Sequence, residues 1–417
     1  MSVVYDDGQV SLLHGDVRGV LRELPAESVN CVVTSPPYWS LRDYGVEPSV
    51  WGPFTDSEDG EPCLEHQWGE AAAIPDAYVG TARWQHDGIS RAETPEAWGG
   101  ARHQAQGATS IRQGRANIEA QRNDNLTGGQ FCRVCGAWLG ALGLEPTPEL
   151  FVAHMVEVFL EVRRVLRPDG TLWLNMGDSY SSGGRGYYDD EPGANKGNHV
   201  NRHRPLEPYG LKPKDLVGIP WMLAFALRAD GWWLRQDIIW SKPNPMPEST
   251  KDRCTKAHEY MFLLSKRELY WSDFVAIREK AGENTTTTRG REHRRMRRAG
   301  RRTKADLNRN FEAAEAAGDE ATMTRNKRSV WHIPTAPFPE AHFATFPPAL
   351  VEPCILAGCP EGGTVLDPFV GSGTTAMVAR QLGRRAIGID LNLEYMAMAV
   401  RRAGGQMAFI GDAGGVS

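Results

Sequence analysis

Six consecutive residues near the start of the chain combine groups that could hold a planar base. Residues 34–39, with the sequence TSPPYW, follow an apolar run. Pro36 and Pro37 fix their own φ angles and favour an extended Ser35, which leaves carbonyl oxygens presented by a rigid loop. The Ser35 hydroxyl and the Pro36 carbonyl could accept hydrogen bonds from an exocyclic NH2 group, while Tyr38 or Trp39 offers an aromatic face. The alternative is a strand-ending turn with an exposed aromatic side chain.

A second stretch near the other end of the chain has the pattern of a nucleotide pocket. Residues 364–375, TVLDPFVGSGTT, place Asp367 at the end of an apolar run, before a Gly-rich turn and a helix that starts at Thr374. The next predicted strand ends at Asp390, where a carboxylate could bind ribose hydroxyls. Asp367 and Phe369 stand where a pyrophosphate would be cradled, so a cationic or amine-bearing ligand is favoured. S-adenosylmethionine, with its ammonium and sulfonium charges, meets that requirement.

Together the two stretches resemble a known family, the DNA amino-methyltransferases, which methylate the exocyclic nitrogen of cytosine or adenine. Residues 35–38 look like their catalytic tetrapeptide and residues 367–374 like their cofactor loop, in the order of the circularly permuted β group. The resemblance implies S-adenosylmethionine as cofactor and double-stranded DNA as partner. The catalytic residues it implies are Ser35, Pro36, Pro37 and Tyr38. The predicted cofactor-binding residues are Asp16, Phe346, Pro347, Asp367, Phe369, Gly371, Gly373, Thr374 and Asp390.

Some of these roles have structural alternatives. Asp16 is placed by the resemblance against the adenine of the cofactor, but it could equally be the N-cap of a short helix. Phe346 and Pro347 are placed against the methionine end of the cofactor, whereas a hydrophobic staple before a helix is the alternative. Residues 240–245 resemble a segment that lines the target-base pocket, and a Pro-rich connection without function is nearly as plausible. His258 and Glu259 are supporting candidates only.

The residue at position 35 bears on which base is methylated. Family members with Ser at the first motif position are more often cytosine-N4 enzymes, whereas Asp there is typical of adenine-N6 enzymes. Ser35 therefore favours cytosine N4, and adenine N6 is the alternative. Two alternatives from other functional classes are a non-catalytic DNA-binding protein and an RNA methyltransferase. A homodimer and a cognate restriction nuclease are compatible partners that the sequence does not specify.

Two Cys/His pairs lie in a long stretch where apolar periodicity fades. Cys63 and His66 form one pair, and Cys132 and Cys135, followed by Gly136, form the other. Four such ligands are the number that a tetrahedral structural zinc site requires. Zinc would help to fold an insertion that buries little apolar surface. Two idle thiol pairs are the alternative.

A strongly basic segment separates the two halves of the chain. Residues 289–310 carry ten Lys or Arg side chains and almost no apolar ones. Such a run is usually a solvated face, but here it falls where the resembled group places its target-recognition region. Phosphate neutralisation would supply affinity that falls steeply with salt. The predicted DNA-binding residues are Arg291, Arg294, Arg295, Arg297, Arg298, Arg301 and Arg302.

The elements that position these motifs predict a doubly wound, Rossmann-like, mostly parallel α/β sheet in which the strands ending at Ser35 and Asp367 are neighbours. The predicted divisions are 1–50 and 145–271 for the catalytic part, 51–144 for the insertion, 272–330 for the basic recognition segment and 331–417 for the cofactor part. With 417 residues and 41% hydrophobic content, the chain can bury a large core. Seven cysteines without a regular framework and the lack of a bilayer-length apolar run predict a soluble cytoplasmic protein without a membrane partner.

Overall fold

The computed structural model describes residues 1–39, 46–52, 66, 68–69, 129–132, 135–181, 211–212, 214–280, 324–336 and 346–404. In chain order its strands are β1 (Ser2–Asp6), β2 (Val10–His14), β3 (Val29–Thr34), β4 (Ser49–Trp51), β5 (Trp68–Gly69), β6 (Gly129–Cys132), β7 (Trp138–Gly140), β8 (Leu166–Met176), β9 (Trp233–Ser241), β10 (His258–Ser265), β11 (Glu279–Lys280), β12 (Thr324–Arg325), β13 (Val330–His332), β14 (Thr364–Asp367) and β15 (Arg385–Asp390). The helices are α1 (Val17–Glu23), α2 (Pro148–Val165), α3 (Ile219–Ala229), α4 (Pro348–Gly358), α5 (Thr374–Gln381) and α6 (Leu393–Ala403).

A nine-stranded sheet forms the centre of the described structure, in the order β1-β2-β15-β14-β3-β8-β10-β9-β13. The run from β2 to β8 is parallel, while β1 and β10 pair antiparallel with their neighbours. β3 and β14 are adjacent, as predicted, with Val365 opposite Cys31 and Leu366 opposite Val32. The carboxyl ends of two strands that are remote in sequence therefore meet at one edge of the sheet.

Helices cover both faces of this sheet, which confirms the doubly wound prediction. One buried cluster joins one face to α1, α2 and α3, and a second joins the other face to α4, α5 and α6. Side chains of β10 alternate between the two clusters: Met261 and Leu263 belong to one, Phe262 and Leu264 to the other. Because successive strand residues point to opposite faces, the sequence of a strand covered on both sides is a continuous apolar run.

Local signals fix the ends of several helices. Thr147 caps α2 by accepting a hydrogen bond from the Leu150 N–H at 3.1 Å, and Pro148 occupies the first turn, as the sequence predicts. Asp16 caps α1 by accepting from the N–H groups of Arg18 and Gly19 at 3.0 and 3.2 Å. The N-cap alternative for Asp16 is therefore present in the fold.

Two predicted elements differ from the structure. The sequence Pro-Asp-Gly at residues 168–170 predicts a turn, but these residues lie inside β8. The pairing passes from Val29 with Leu166 to Cys31 with Thr171 and accommodates the extra residues as an irregularity. The apolar sequence LYW at residues 269–271 predicts a short strand, but this described stretch forms none, and the Trp271 N–H donates to the Asp169 carbonyl at 2.8 Å instead. This one backbone hydrogen bond to the irregular part of β8 is formed in place of regular strand pairing.

The stretch predicted to lack regular elements contains a small sheet. Parts of residues 46–140 form four antiparallel strands in the order β4-β7-β6-β5. The strands are two to four residues long, which is too short for hydrophobic alternation to reveal them. Among the residues the structure describes, no helix is long and apolar enough to cross a membrane.

Candidate active site

The two predicted loops are joined by one buried hydrogen bond. The Thr34 hydroxyl, at the end of β3, donates to Asp367 Oδ1, at the end of β14, over 2.7 Å. Both side chains are almost fully buried. The catalytic and cofactor motifs therefore begin from the same point of the sheet edge.

The Gly-rich loop after β14 is shaped by its own backbone. Gly371 and Gly373 have φ angles of +49° and +83°, a region in which side chains with a Cβ are strained. A Cβ on Gly373 would lie 2.7 Å from the Ala399 Cα, so the loop packs tightly on α6. A Cβ on Gly371 would approach only the Phe369 carbonyl, at 3.9 Å, so this part of the loop faces open space. The loop thus has a packed side and an open side.

Arg402 of α6 holds the packed side of the loop. Its guanidinium donates to the Ser372 hydroxyl at 2.6 Å and to the Thr374 hydroxyl at 3.0 Å. Thr374 is buried and opens α5, as predicted. Its hydroxyl is therefore already engaged by the protein.

Asp367 has a buried carboxylate oxygen that matches a cationic ligand. Oδ1 accepts from Thr34 and from the Phe369 N–H, whereas Oδ2 has no hydrogen-bond partner among the described residues. Burial, with a smaller contribution from the nearby Asp390 carboxylate, raises the pKa of Asp367 to about 6 against its hydrogen bonds. A nearby ammonium or sulfonium charge would offset the free-energy cost of burying the ionised carboxylate, so the residues present fit S-adenosylmethionine.

Asp390 is fixed at the end of the next strand. Its two oxygens accept from the Gly371 N–H at 2.9 Å and from the Asn392 N–H at 2.8 Å. Burial raises the pKa of Asp390 despite these bonds. Asp390 thereby ties β15 to the turn of the Gly-rich loop.

The other predicted cofactor residues lie around the same sheet edge or begin α4. Asp16 follows β2, whose His14 pairs with Asp390. Arg18 binds both Asp16 oxygens, and its hydrogen bonds and charge lower the pKa of Asp16 against the effect of burial. Phe346 packs against the buried cluster that contains α4, and Pro347 is the cap of that helix. Cofactor contact by these three residues stays a prediction.

At the catalytic motif, Ser35 is held by a residue that sequence reasoning did not single out. The Ser35 hydroxyl donates to Asn175 Oδ1, near the end of the adjacent β8, over 3.2 Å. The Asn175 amide group is oriented by donation from Nδ2 to the Tyr260 carbonyl at 3.0 Å. With its proton engaged, the Ser35 oxygen presents lone pairs as an acceptor.

Tyr38 is fixed through its hydroxyl. That group lies 2.8 Å from Glu259 Oε2 and 3.1 Å from Asn175 Oδ1, and its single proton can be donated to one of them at a time. Glu259 forms an ion pair with Lys242, from the loop after β9 that was predicted to line the target-base pocket. The Lys242 ammonium also lies 4.3 Å from the centre of the Trp240 ring. This loop is therefore connected to the catalytic tetrapeptide.

The Tyr38 ring rests on a glycine, and Trp39 is not available to a ligand. A Cβ on Gly177 would lie 2.5 Å from Tyr38 Cε2, so only glycine leaves the ring in this place. Trp39 is 3% exposed, and its Nε1 donates to the Glu145 carbonyl at 2.8 Å. Of the two aromatic faces considered from the sequence, Tyr38 is the one that lies at the site.

The sequence from residue 177 to about residue 204, which is rich in Gly, Asn and Arg, predicts a mobile loop, but its described part is anchored. Asp178 accepts from the N–H groups of Gly218 and Ile219 and so caps α3. Ser179 and Ser181 make backbone hydrogen bonds to residues 215 and 217. The remainder of that predicted loop, residues 182–204, lies outside the described residues.

The described residues include three of the four predicted metal ligands and none of the predicted DNA-binding arginines. His66, Cys132 and Cys135 come together, with their donor atoms all within 4.8 Å of one another, whereas Cys63 lies outside the described residues. The seven arginines predicted to contact DNA, at positions 291–302, also lie outside them. The flanking residues are described: β11 and β12 pair, and Glu279 accepts from Arg325 at 2.8 Å.

Sequence reasoning missed Asn175 and undervalued Glu259. The available signal for Asn175 was an amide side chain ending an otherwise apolar strand, a position that needs a hydrogen-bond partner when buried. Glu259 lies in β10 beside β8, and only the tertiary pairing of these strands brings it to Tyr38.

Comparison with known proteins gives consistent matches over most of the chain. A family described as DNA methylase, of the N6/N4 type, matches residues 29–401. Type II methyltransferase M.Cfr9I of Citrobacter freundii is 36% identical over 396 residues, which cover 95% of this chain and 88% of that protein. M.XycI of Xanthomonas campestris pv. cyanopsidis is 37% identical over 396 residues, with the same coverage. Among solved structures, the PvuII DNA methyltransferase (cytosine-N4-specific) is 15% identical, covering 97% of this chain and 89% of that chain, with a TM-score of 0.49.

Proposed function

The chain belongs to the DNA methylase family, and from this premise we propose that it methylates the exocyclic N4 of cytosine in duplex DNA, with the target base flipped out of the helix. Membership makes it a DNA amino-methyltransferase that uses S-adenosylmethionine. The choice between cytosine N4 and adenine N6 depends on the hydrogen-bonding groups of the site.

The observation that carries the choice of cytosine is the chemistry at position 35. Ser35 is a neutral acceptor whose proton is engaged by Asn175, so its oxygen can receive one N–H of a target amine. Ser at this motif position is more often found in the cytosine-N4 branch, while the stronger carboxylate acceptor is typical of the adenine-N6 branch. Ser35 therefore supports cytosine.

The protein has to make a poor nucleophile reactive. The lone pair of an exocyclic amine is delocalised into the base ring. Hydrogen bonds from the NH2 group to Ser35 Oγ and to the Pro36 carbonyl would pull the nitrogen toward tetrahedral geometry and direct its lone pair away from the ring. Bound S-adenosylmethionine supplies a methyl group on a positively charged sulfur. Direct displacement then requires no covalent intermediate with the enzyme.

Tyr38 would hold the flipped base by stacking. Its ring is supported by Gly177, and its hydroxyl is held by Glu259 and Asn175, so little side-chain entropy remains to be lost when the base arrives. Lys242 neutralises Glu259, which keeps a net negative charge away from the incoming nucleotide. Asn175, Glu259 and Lys242 act as positioning residues.

Nucleoside analysis tests the proposal directly. The purified protein is incubated with S-adenosylmethionine and mixed-sequence duplex DNA, and the DNA is digested and analysed by mass spectrometry. We expect N4-methylcytosine. N6-methyladenine would overturn the base assignment and keep the enzyme class. The absence of any methylated nucleoside from DNA, with transfer to RNA in a parallel reaction, would overturn DNA as the substrate.

A pair of variants tests whether Asn175 acts through Ser35. Ser35→Ala removes the acceptor, and Asn175→Ala removes the group that orients it. We expect both to lower turnover with S-adenosylmethionine affinity unchanged. The double variant should lose less than the sum of the two losses, because coupled residues are not additive. Additive losses would contradict the positioning role.

The natural partner is proposed from the relatives. Those named above are Type II methyltransferases, which supports a role in restriction-modification beside a nuclease that recognises the same sequence. Plasmid DNA methylated by this protein should resist that nuclease. The homodimer stays a prediction that sedimentation of the purified chain can test.

A further inference from the structure

The small sheet beside the main core has two unlike faces. On one face Trp51, Phe131 and Trp138 join the large buried cluster that contains α2. On the other face Cys132, Cys135 and Ala137 form a cluster of three buried residues, against which Val50 and Trp68 pack. Among the described residues, this face therefore offers few apolar contacts to four strands of only two to four residues. A bound metal ion would add stability there.

That face carries three ligands of the kind zinc prefers. The donor atoms of His66, Cys132 and Cys135 all lie within 4.8 Å of one another, and Cys135 Sγ is 3.4 Å from His66 Nδ1. With Zn–S of about 2.3 Å and Zn–N of about 2.0–2.1 Å, a tetrahedral ion spaces two sulfurs by roughly 3.8 Å and a sulfur and a nitrogen by roughly 3.6 Å. The observed spacing is close to this, so one ion can reach all three atoms with small movements.

The local backbone has the form of a metal-binding knuckle. The Gly136 N–H donates to the Cys132 carbonyl at 2.9 Å, and the Cys132 N–H donates to the Ala137 carbonyl at 2.7 Å. Gly136 has a φ of +73°, so the turn depends on the glycine that follows the second cysteine. The His66 ring stacks on Trp68 with its centre 4.7 Å away, which fixes the imidazole beside the two sulfurs.

We propose that His66, Cys132 and Cys135 bind a structural zinc ion. Cys63, the fourth ligand predicted from the sequence, lies outside the described residues. Thiolate and imidazole ligands select zinc over magnesium or calcium. Cysteine-rich ligand sets are typical of structural zinc sites, so we expect the ion to stabilise the small sheet. This inference is independent of which base is methylated.

The sheet stabilised in this way supports the catalytic loop through a buried hydrogen-bonded pair. The His154 ring is stacked by Trp51 and by Trp138, with ring centres 5.0 and 5.3 Å away. His154 Nδ1 is 2.9 Å from Glu145 Oε1, and the Glu145 carbonyl accepts from Trp39. Trp39 directly follows Tyr38, so displacement of the small sheet would be transmitted to the base-stacking residue.

A neighbouring contact connects the sheet to the carboxyl end of β2. The Arg18 guanidinium lies 3.7 Å from the centre of the Trp51 ring and donates to the Val50 carbonyl at 2.8 Å. The same side chain binds both oxygens of Asp16. Loss of the metal should therefore lower the thermal stability of the whole protein and its methyl-transfer rate.

Metal analysis of the full-length protein, purified without chelators, is the primary test. We expect one zinc per chain by plasma mass spectrometry. Exchange with Co²⁺ should give the intense visible bands of a tetrahedral ion and a thiolate charge-transfer band. This spectrum requires no variant and does not depend on methyl transfer. A chain that lacks bound metal and binds neither Zn²⁺ nor Co²⁺ after reduction would overturn the proposal.

Cysteine variants assign the ligands. Cys132→Ser and Cys135→Ser should each lose the zinc and the charge-transfer band, and Cys63→Ser should weaken both. Cys254→Ser is the matched control, because Cys254 is exposed and lies outside the cluster, and it should retain one zinc. Full zinc content in Cys132→Ser or Cys135→Ser would overturn the site, and an unchanged cobalt spectrum in Cys63→Ser would overturn the fourth ligand.

Discussion

The loops after β14 and β3 start from adjacent strands but are held in place in different ways. The cofactor loop is fixed by contacts from the segment that follows it: Asp390 binds the Gly371 N–H, and Arg402 binds Ser372 and Thr374. The catalytic loop is fixed by residues from three other parts of the chain: Glu145, the segment of Asn175 and Gly177, and Glu259. One loop is therefore locally determined, whereas the other depends on the assembly of the whole domain.

This difference separates binding from turnover. A change behind the catalytic tetrapeptide should alter the position of the target base and leave the Gly-rich loop in place. A change in the cofactor loop should alter affinity for S-adenosylmethionine while the base-stacking residue keeps its support. The Thr34–Asp367 hydrogen bond connects the two loops, so a change at either residue could alter both cofactor affinity and turnover.

Tyr38→Ala should give the largest effect. Because we propose that the Tyr38 ring stacks on the flipped base and orients it, we expect turnover to fall by roughly 100-fold or more. Affinity for S-adenosylmethionine, measured by calorimetry, should stay within about twofold, since binding of the cofactor is assigned to the other loop. Loss of cofactor affinity in a folded Tyr38→Ala protein would break the separation.

Asp367→Asn should have the opposite signature. The variant keeps the shape of the side chain but removes the charge that is predicted to face the cofactor. We expect the Kd for S-adenosylmethionine to rise roughly 10- to 100-fold, since a hydrogen bond to a charged group contributes about 1.5–3 kcal/mol. Turnover at saturating cofactor should be largely retained. An unchanged Kd would remove Asp367 from the cofactor site.

Two glycine variants compare the loops more finely. Gly177→Ala would displace the Tyr38 ring. We expect turnover to fall about tenfold, because a displaced ring would position the target base less well. Gly373→Ala combines a φ of +83° with contact against Ala399, and it should weaken cofactor binding and thermal stability. Gly19→Ala, in α1 and without a neighbour within 4 Å of the added Cβ, is the matched control. Identical kinetic signatures from Gly177→Ala and Gly373→Ala would contradict the comparison.

The pH dependence of cofactor binding should give an effect no larger than that of Gly177→Ala. Because the pKa of Asp367 is about 6, its carboxyl is ionised above this pH and becomes protonated below it. A cationic ligand binds the ionised form, so affinity should be lost as pH falls through 6, by about tenfold between pH 7 and pH 5. Calorimetric titrations at several pH values measure this, and Asp367→Asn should show a much flatter profile.

The same contrast explains what could be predicted from sequence. Asp367, the glycines and Asp390 lie in one short strand-turn-helix-strand unit, so their spacing indicated both the fold and a cationic ligand. The adjacency of β3 and β14 also followed, because a doubly wound sheet places both motifs at the switch point.

The supports of the catalytic loop could not be found in this way. Asn175 and Glu259 reach Ser35 and Tyr38 only because β8 lies between β3 and β10, an order that local patterns do not encode. The small sheet was missed because its strands are too short for alternation to be visible. Asp178 was assigned to a mobile loop, since capping of a helix 40 residues further on leaves no local signature.

The pairing of β11 with β12 has a consequence for how such a protein can change. Glu279 accepts from Arg325 and Arg328, so the chain leaves the described structure at residue 280 and returns at residue 324 beside its point of departure. A segment whose ends are clamped together can be exchanged for another of different length at little entropic cost, because loop closure depends only weakly on length. If this segment is the target-recognition region, as predicted from the sequence, the recognised DNA sequence can change through exchange of the segment while the site at the sheet edge is retained.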